Sequence, residues 1–373
     1  MPNVTLGEIS RQPDLWLEIY ERVKELGPDL QPFVSEARQQ QDLEVLFTGA
    51  GSSAFVGEAV AGLFQAQTGA MVRAVATTDL VTHLRLFVRP SRPLLLVSFS
   101  RSGDSPESRA AVEMVDAIHP RARHLIITCN RDGALARLAG RPRTKVLLLP
   151  EAANDQGLAM IGSVTGMILA ALLVARLDQL PGLRVEVETA SRYGRTLLDC
   201  YSDSIRERAA TGFERAICLG SGPLLGIARE AHLKILELSA GKVECRFDSF
   251  LGFRHGPRVA VNDKTLVFYF LSNDPYVAQY ERDLVLSVQR SQRPLCSIAV
   301  SESDASLPVD LALSLGREGD RLEEGFLTLP YLLAPQLLAV HKSLSLGLDP
   351  DSPSESGVIH RVVQGVTIYP CPT

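Results

Sequence analysis

The chain has 373 residues, 46% hydrophobic and 22% charged, the profile of a soluble globular protein large enough for two domains. A net charge of −5 without any block of Lys and Arg argues against nucleic acid as a partner, and the apolar run Met160 to Leu173 is too short to span a membrane. The six cysteines, at 129, 200, 218, 245, 296 and 371, show no Cys-x-x-Cys spacing, and Met1 to Gln12 is polar; we read reduced thiols, no metal site, no secretory leader and a cytoplasmic location.

Pro13 to Arg38 is amphipathic and predicts a helix with breaks at Gly27-Pro28 and Pro32. Strand and helix patterns then alternate. Val45–Phe47, Val72–Ala76, Leu94–Val97, Leu125–Cys129 and Val146–Leu149 are short apolar runs suited to a parallel sheet buried on both faces. Ala54–Gln67, Pro106–Ile118 and Gly133–Leu138 carry helical patterns, and a long helical stretch from Met160 to Gln179 leads to a hinge at Pro181-Gly182. The pattern restarts at Ala216-Ile217-Cys218-Leu219, where a strand, the turn Gly220-Ser221-Gly222-Pro223 and a helix from Ile227 to Leu238 echo Val45 to Gln67. The expected class is α/β with duplicated subdomains: a helical segment over 1–40, a first subdomain over 41–182, a second over 183–347 and a tail over 348–373.

Two strand ends carry chemistry. Val45-Leu46-Phe47 runs into Thr48-Gly49-Ala50-Gly51-Ser52-Ser53 and a helix, and Leu94–Val97 runs into Ser98-Phe99-Ser100-Arg101-Ser102-Gly103-Asp104-Ser105 and another. Hydroxyls, loop N–H groups and helix dipoles converging on one volume suit a phosphate dianion. One such loop is often an ordinary Ser/Gly connection; two in consecutive α/β units point to a phosphate clamp. The counterpart in the second half, Val267 to Pro275, has largely lost its serines and carries Asp274, so one phosphate site per chain is expected.

The helix after Gly220-Ser221-Gly222 carries Glu230, Lys234 and Glu237 on one face. Such stripes are usually solvated ion pairs. Here Ile227, Leu233, Ile235, Leu236 and Leu238 are apolar nearly all round, so the helix is expected to be buried and its charges to need a chemical reason. A carboxylate beside a lysine suits proton abstraction next to a carbonyl or imine. Downstream, glycines flank Phe253-Arg254-His255 and Pro257 closes the loop, leaving His255 placed for proton transfer to a sugar ring oxygen. The remaining histidines, at 83, 119, 124, 232, 341 and 360, show no metal-ligand spacing.

Together these residues resemble the SIS (sugar isomerase) domain family, and especially its tagatose-6-phosphate ketose/aldose isomerase (AgaS-type) branch. The matching segments are Gly49–Phe55, Ser98–Ser108, Ile127–Asn130, Leu219–Leu224, Ala228–Glu230, Leu236–Leu238, Ala240–Val243, Phe247–Pro257, Leu271–Tyr276 and Arg361–Val366. They cover nearly the whole chain, and Phe247-Asp248-Ser249 through Pro257 is the stretch specific to the branch. The resemblance implies two SIS-type subdomains, each a parallel sheet flanked by helices in a flavodoxin-like three-layer sandwich.

The branch is similar to the isomerase half of glucosamine-6-phosphate synthase, and this implies roles residue by residue. Ser52, Ser53, Ser100, Arg101, Ser102 and Ser105 fall on phosphate-loop positions. Glu237 falls on the glutamate that shuttles a proton between C1 and C2, with Glu230 and Lys234 on its companions. His255 falls on a ring-opening histidine lent by the neighbouring subunit, which implies a homodimer or higher homo-oligomer with shared active sites. The tail departs from the synthase: Gln364 stands where that enzyme has a Schiff-base lysine. The implied activity is deamination and isomerisation of a hexosamine 6-phosphate, foremost galactosamine 6-phosphate to tagatose 6-phosphate and ammonia, with no cofactor. Glucosamine-6-phosphate deaminase, a simple aldose–ketose isomerase and a non-catalytic phosphosugar sensor stay open at this point.

Overall fold

The computed structural model describes residues 3–354, 357 and 359–370, and Cys371 lies outside them. In chain order the first elements are α1 (Val4–Ser10), α2 (Gln12–Arg38), β1 (Glu44–Thr48), α3 (Ser52–Thr68), β2 (Met71–Ala74), α4 (Thr77–Phe87) and β3 (Leu94–Ser100). Next come α5 (Pro106–Ile118), β4 (Arg123–Thr128), β5 (Thr144–Leu148), α6 (Gly162–Val174), α7 (Arg184–Ala209), β6 (Arg215–Leu219) and α8 (Pro223–Leu238). Then follow β7 (Glu244–Asp248), β8 (Thr265–Phe270), α9 (Pro275–Ser291), β9 (Cys296–Ser301), β10 (Leu311–Ser314) and α10 (Glu324–Ser345).

The chain divides into two compact units. The first-sheet unit comprises Leu15–Asp155, Gly162–Arg184 and Ile359–Thr373; the second-sheet unit comprises Met1–Asp14, Gln156–Ile161 and Val185–Val358. Each holds a parallel sheet, ordered β2-β1-β3-β4-β5 in one and β7-β6-β8-β9-β10 in the other. Both have the flavodoxin-like strand order, whose switch point lies between the first and third strands of the sheet. Ligands of such sheets gather there, outside the carboxyl ends of the strands.

In the first-sheet unit one sheet face changes character along its length. Leu46, Leu94, Leu96 and Ile126 pack with Leu80 and Leu84 of α4 and Ala111, Val112 and Val115 of α5. Two residues further on, the same face carries hydroxyls. Thr48 pairs with Ser98 and Ser100 with Thr128, and register partners on parallel strands share a face. The core therefore turns polar where the phosphate loops begin.

The breaks expected in α2 do not occur. The helix runs through Pro28 and Pro32, both on its exposed side, where water can take up the carbonyls that lose a partner. Its buried side, with Trp16, Ile19, Val23, Leu30, Phe33 and Val34, holds it in place, and Trp16 Nε1–H donates to Thr165 Oγ1 at 3.0 Å. The long stretch after Met160 is shorter than expected. Helix α6 ends at Val174, and Pro181 and Gly182 fall within a 3-10 segment, Leu177–Leu183, that leads into α7. The helical pattern read at Gly133–Leu138 reduces to a single 3-10 turn, Ala136–Leu138. Among the described residues, no single helix is long and apolar enough to cross a membrane.

Candidate active site

The β1–α3 turn is dictated by two glycines. A Cβ on Gly49 would lie 2.5 Å from the Ser53 carbonyl group, and Gly51 has φ +57. A side chain at the first collides with the helix start, and one at the second is strained. The turn sets Ser52 and Ser53, each 4% exposed, into the first turn of α3.

The serine loop after β3 is braced from β4. Asn130 donates from Nδ2 to the Ser102 carbonyl at 2.9 Å, and Leu135 N–H donates to the Gly103 carbonyl at 3.0 Å. Gly133 allows this approach, since a Cβ there would lie 2.4 Å from Ser102 O. Within the loop, Ser100 Oγ accepts the Gly103 N–H at 3.0 Å and Ser102 Oγ accepts the Asp104 N–H at 3.2 Å. A hydroxyl that accepts from the backbone keeps its proton for another acceptor, such as a phosphate oxygen. Ser105 is differently engaged: it N-caps α5 and donates its hydroxyl to Ser108 Oγ at 2.7 Å. Asp104, the one carboxylate of the loop, is drawn aside by the Ala134 N–H at 2.8 Å.

The sequence places Thr48 and Ser98 in the two hydroxyl loops but marks neither Thr77 nor Thr128 as part of this surface. Thr48, Thr77, Ser98 and Thr128 are buried, and their hydroxyls have no hydrogen-bond partner among the described residues. Orphaned buried hydroxyls are uncommon and mark a place where something polar is expected to bind. Thr77 starts α4 and Thr128 ends β4, so only the strand register groups Thr128 with the serine loop.

In the second-sheet unit the Glu230, Lys234 and Glu237 stripe is buried rather than solvated. Lys234 and Glu230 are each 1% exposed, with Lys234 Nζ 3.4 Å from Glu230 Oε1 and 2.6 Å from Glu237 Oε2. Helix α8 is held in this position by α10, almost wholly apolar from Phe326 to Val340, and by its own Ile227, Ala231, Ile235 and Leu238. Glu237 alone of the three reaches the surface, its side chain 25% exposed. A lysine thus sits between a sunken carboxylate and an accessible one, an arrangement able to hold and release a proton at Glu237. Nearby His232 lies against the Phe247 ring, and burial pushes its pKa below the usual imidazole range.

His255 ends a 3-10 turn, Gly252–His255, anchored by buried Phe253. The turn is sharp because a Cβ on Gly252 would lie 2.5 Å from Asp248 Oδ1, and Gly256 has φ +126. His255 itself is exposed and has no hydrogen-bond partner among the described residues. No hydrogen bond or ion pair links it to the α8 carboxylates. Among the described residues, no group of three His, Cys, Asp or Glu side chains could hold a metal ion.

Two doubly wound sheets, one with paired hydroxyl loops at its switch point, are the marks of a SIS-domain protein. The SIS domain model matches residues 39–175, and the chain belongs to this family. Within it the chain falls in the AgaS branch. It is 42% identical to a Streptomyces coelicolor AgaS protein over 98% of this chain and 95% of that one. It is 38% identical to the Escherichia coli D-galactosamine-6-phosphate deaminase AgaS, again over 98% and 95% of the two chains. The crystal structure of tagatose-6-phosphate ketose/aldose isomerase from Escherichia coli superposes with a TM-score of 0.90 at 34% identity, covering 99% of this chain and 97% of that one.

Proposed function

We propose that this protein is a hexosamine-6-phosphate deaminase/isomerase whose substrate is galactosamine 6-phosphate. The observation that carries this reading is the buried Lys234 between Glu230 and the accessible Glu237, because a sensor has no use for a sunken charge set of this kind. The names of the AgaS relatives supply the substrate class. Ser52, Ser53, Ser100, Arg101 and Ser102 take the 6-phosphate, and Ser105 joins them by turning its hydroxyl from Ser108 to the phosphate. His255 opens the pyranose by proton transfer at the ring oxygen. Glu237 removes the C2 proton to give an enolamine and returns a proton to C1, forming a C2 imine. Water then hydrolyses the imine, releasing ammonia and tagatose 6-phosphate. Without the amino group the same shuttle interconverts aldose and ketose, in keeping with the isomerase name of the 34%-identical relative.

The test is ammonia release from galactosamine 6-phosphate and glucosamine 6-phosphate, followed with a coupled assay. Turnover of the galacto epimer should dominate. A preference for the gluco epimer overturns the substrate assignment, and no ammonia from either overturns deamination.

The exposed His255, flanked by Leu251 and Val259 at 49% and 87% exposure, favours a second copy of the chain over this loop. His255→Ala and Glu237→Gln should each lower kcat by about 10²-fold or more, the usual worth of a positioned acid or base. Mixing the two should restore some activity if the histidine is lent across subunits. No rescue, or a fully active monomer, overturns the shared site.

A further inference from the structure

Within the first-sheet unit, an arginine pair joins the serine loop to the C-terminal segment. Arg101 directly follows β3, is 5% exposed, and donates from Nη2 to the Arg361 carbonyl at 2.5 Å. The Arg361 guanidinium reaches into the turn before α6. Its Nε donates to the Asp155 carbonyl at 2.9 Å, and its Nη2 donates to that carbonyl at 2.5 Å and to Asn154 Oδ1 at 2.8 Å. The turn is itself fixed, because the Asp155 carboxylate accepts the Gly162 and Ser163 N–H groups at 3.0 and 2.9 Å. Both guanidiniums and the Asp155 carboxylate also act on buried Cys129, at the end of the strand that braces the serine loop.

Beyond this anchor the segment is loosely seated. Val363 and Tyr369 are 51% and 76% exposed, and Val366–Pro370 borders a cavity of about 980 Å³ against α4. The three hydrogen bonds of Arg361 tether the segment where its carbonyl meets Arg101. A carbonyl partner orients a guanidinium without cancelling its charge, which leaves Arg101 both aimed and cationic.

We propose that Arg361 is a positioning residue of the phosphate site, acting through Arg101. Its side chain anchors the segment, its carbonyl aims the Arg101 guanidinium at the phosphate, and bound phosphate in turn tightens the segment. Linkage requires that return effect to equal the first in size. The inference rests on the phosphate reading of the Ser100–Ser105 loop.

The experiment is titration of the full chain with inorganic phosphate by calorimetry, for the wild type, Arg361→Ala, Arg101→Ala and the double variant. Each single change should weaken binding about tenfold, the low end for a hydrogen bond to a charged group. The double variant should bind no more weakly than Arg101→Ala alone, since the two act as one unit. In turnover, Arg361→Ala should raise KM by a similar factor while kcat changes far less, and Arg361→Lys, lacking the fork, should recover only part. Phosphate should also slow tryptic cleavage after Arg361 in the wild type and not in Arg101→Ala. Undiminished phosphate binding by Arg361→Ala, or additive losses in the double variant, overturns this inference alone. A wild type that binds no phosphate overturns the phosphate reading and this inference with it.

Discussion

In the first-sheet unit the chain leaves β1 through Gly49-Ala50-Gly51, and in the second it leaves β6 through Gly220-Ser221-Gly222. The glycines do the same work in both. A Cβ on Gly220 would lie 2.2 Å from Leu224 O, as one on Gly49 meets Ser53, and Gly222 has φ +54 beside the +57 of Gly51. The helices that these turns open begin differently. Ser52 and Ser53 open α3, where Pro223 and Leu224 open α8. After the third strand of each sheet, the register that pairs Thr48 with Ser98 and Leu219 with Tyr269 matches Ser100-Arg101-Ser102 with Leu271-Ser272-Asn273. There the second unit supplies its own carboxyl groups: Glu281 Oε2 accepts the Ser272 N–H at 2.8 Å, and the Ser272 hydroxyl donates to Glu324. Asp274 caps α9 by accepting the Tyr276 and Val277 N–H groups. On the proposed function, the switch point that takes a phosphate in one unit is occupied by the protein's own carboxyl groups in the other. On that proposal one backbone design serves binding in one place and architecture in the other, and the chemistry of the second unit falls to α8.

The largest effect expected from this contrast concerns the cation of the carboxylate-rich unit. Lys234→Met leaves Glu230 buried without its ammonium partner, and breaking a buried pair in this way costs about 3–5 kcal/mol. Urea unfolding should show the loss as a lower midpoint. A variant within 1 kcal/mol of the wild type, by the roughly ±0.5 kcal/mol standard of a surface change, would mean that the stripe is solvated after all.

The next effect tests the contrast directly, since Ser102 and Ser272 lie in the corresponding loops after the third strand of each sheet. Ser102→Ala should raise KM for the phosphosugar by an amount worth about 1.5–3 kcal/mol, the range for a hydrogen bond to a charged group. Ser272→Ala should leave KM unchanged. Equal shifts in the two variants would put phosphate at both switch points and erase the distinction.

Much of this division could be read before the fold was known, for physical reasons that vary from place to place. Helix α5 was legible to its ends because Ser105-Pro106 is a local start signal. The Glu230–Lys234–Glu237 face followed from helical spacing, yet the depth of its burial depends on α10, which went unread. That helix is apolar all round and holds Pro330 and Pro335, so it shows no periodicity. The breaks expected in α2 do not form because a proline's cost depends on which side of the helix faces water, and no local pattern in the sequence shows that side. Thr128 and Glu281 are single residues whose meaning comes only from strand register and from the turn across which they reach. No local pattern marks them.

The smallest expected effect sharpens the claim that Glu281 stands in for a ligand. Burial raises its carboxyl to about pH 7, opposed by the Ser272 N–H and the Ser221 hydroxyl, against an ordinary value of 4.5. Between these values the folded state holds a proton that the unfolded chain releases. Stability from this group is therefore full below about pH 4.5 and lost as pH rises through 7, a decline of roughly 2–3 kcal/mol from pH 5 to pH 8. Glu281→Gln keeps an oxygen for the Ser272 N–H but cannot ionise. Its urea midpoint should fall less than that of the wild type between those two pH values. Burial also raises Glu324, the partner of Ser272, and lowers His124, His232 and His341, but these groups remain in both proteins and largely cancel in the difference. Parallel curves would show that Glu281 is ionised throughout, a true fixed anion at the switch point. A flatter curve for the variant shows instead a site held by a neutral acid near pH 6, which repels phosphate only once the carboxyl has lost its proton.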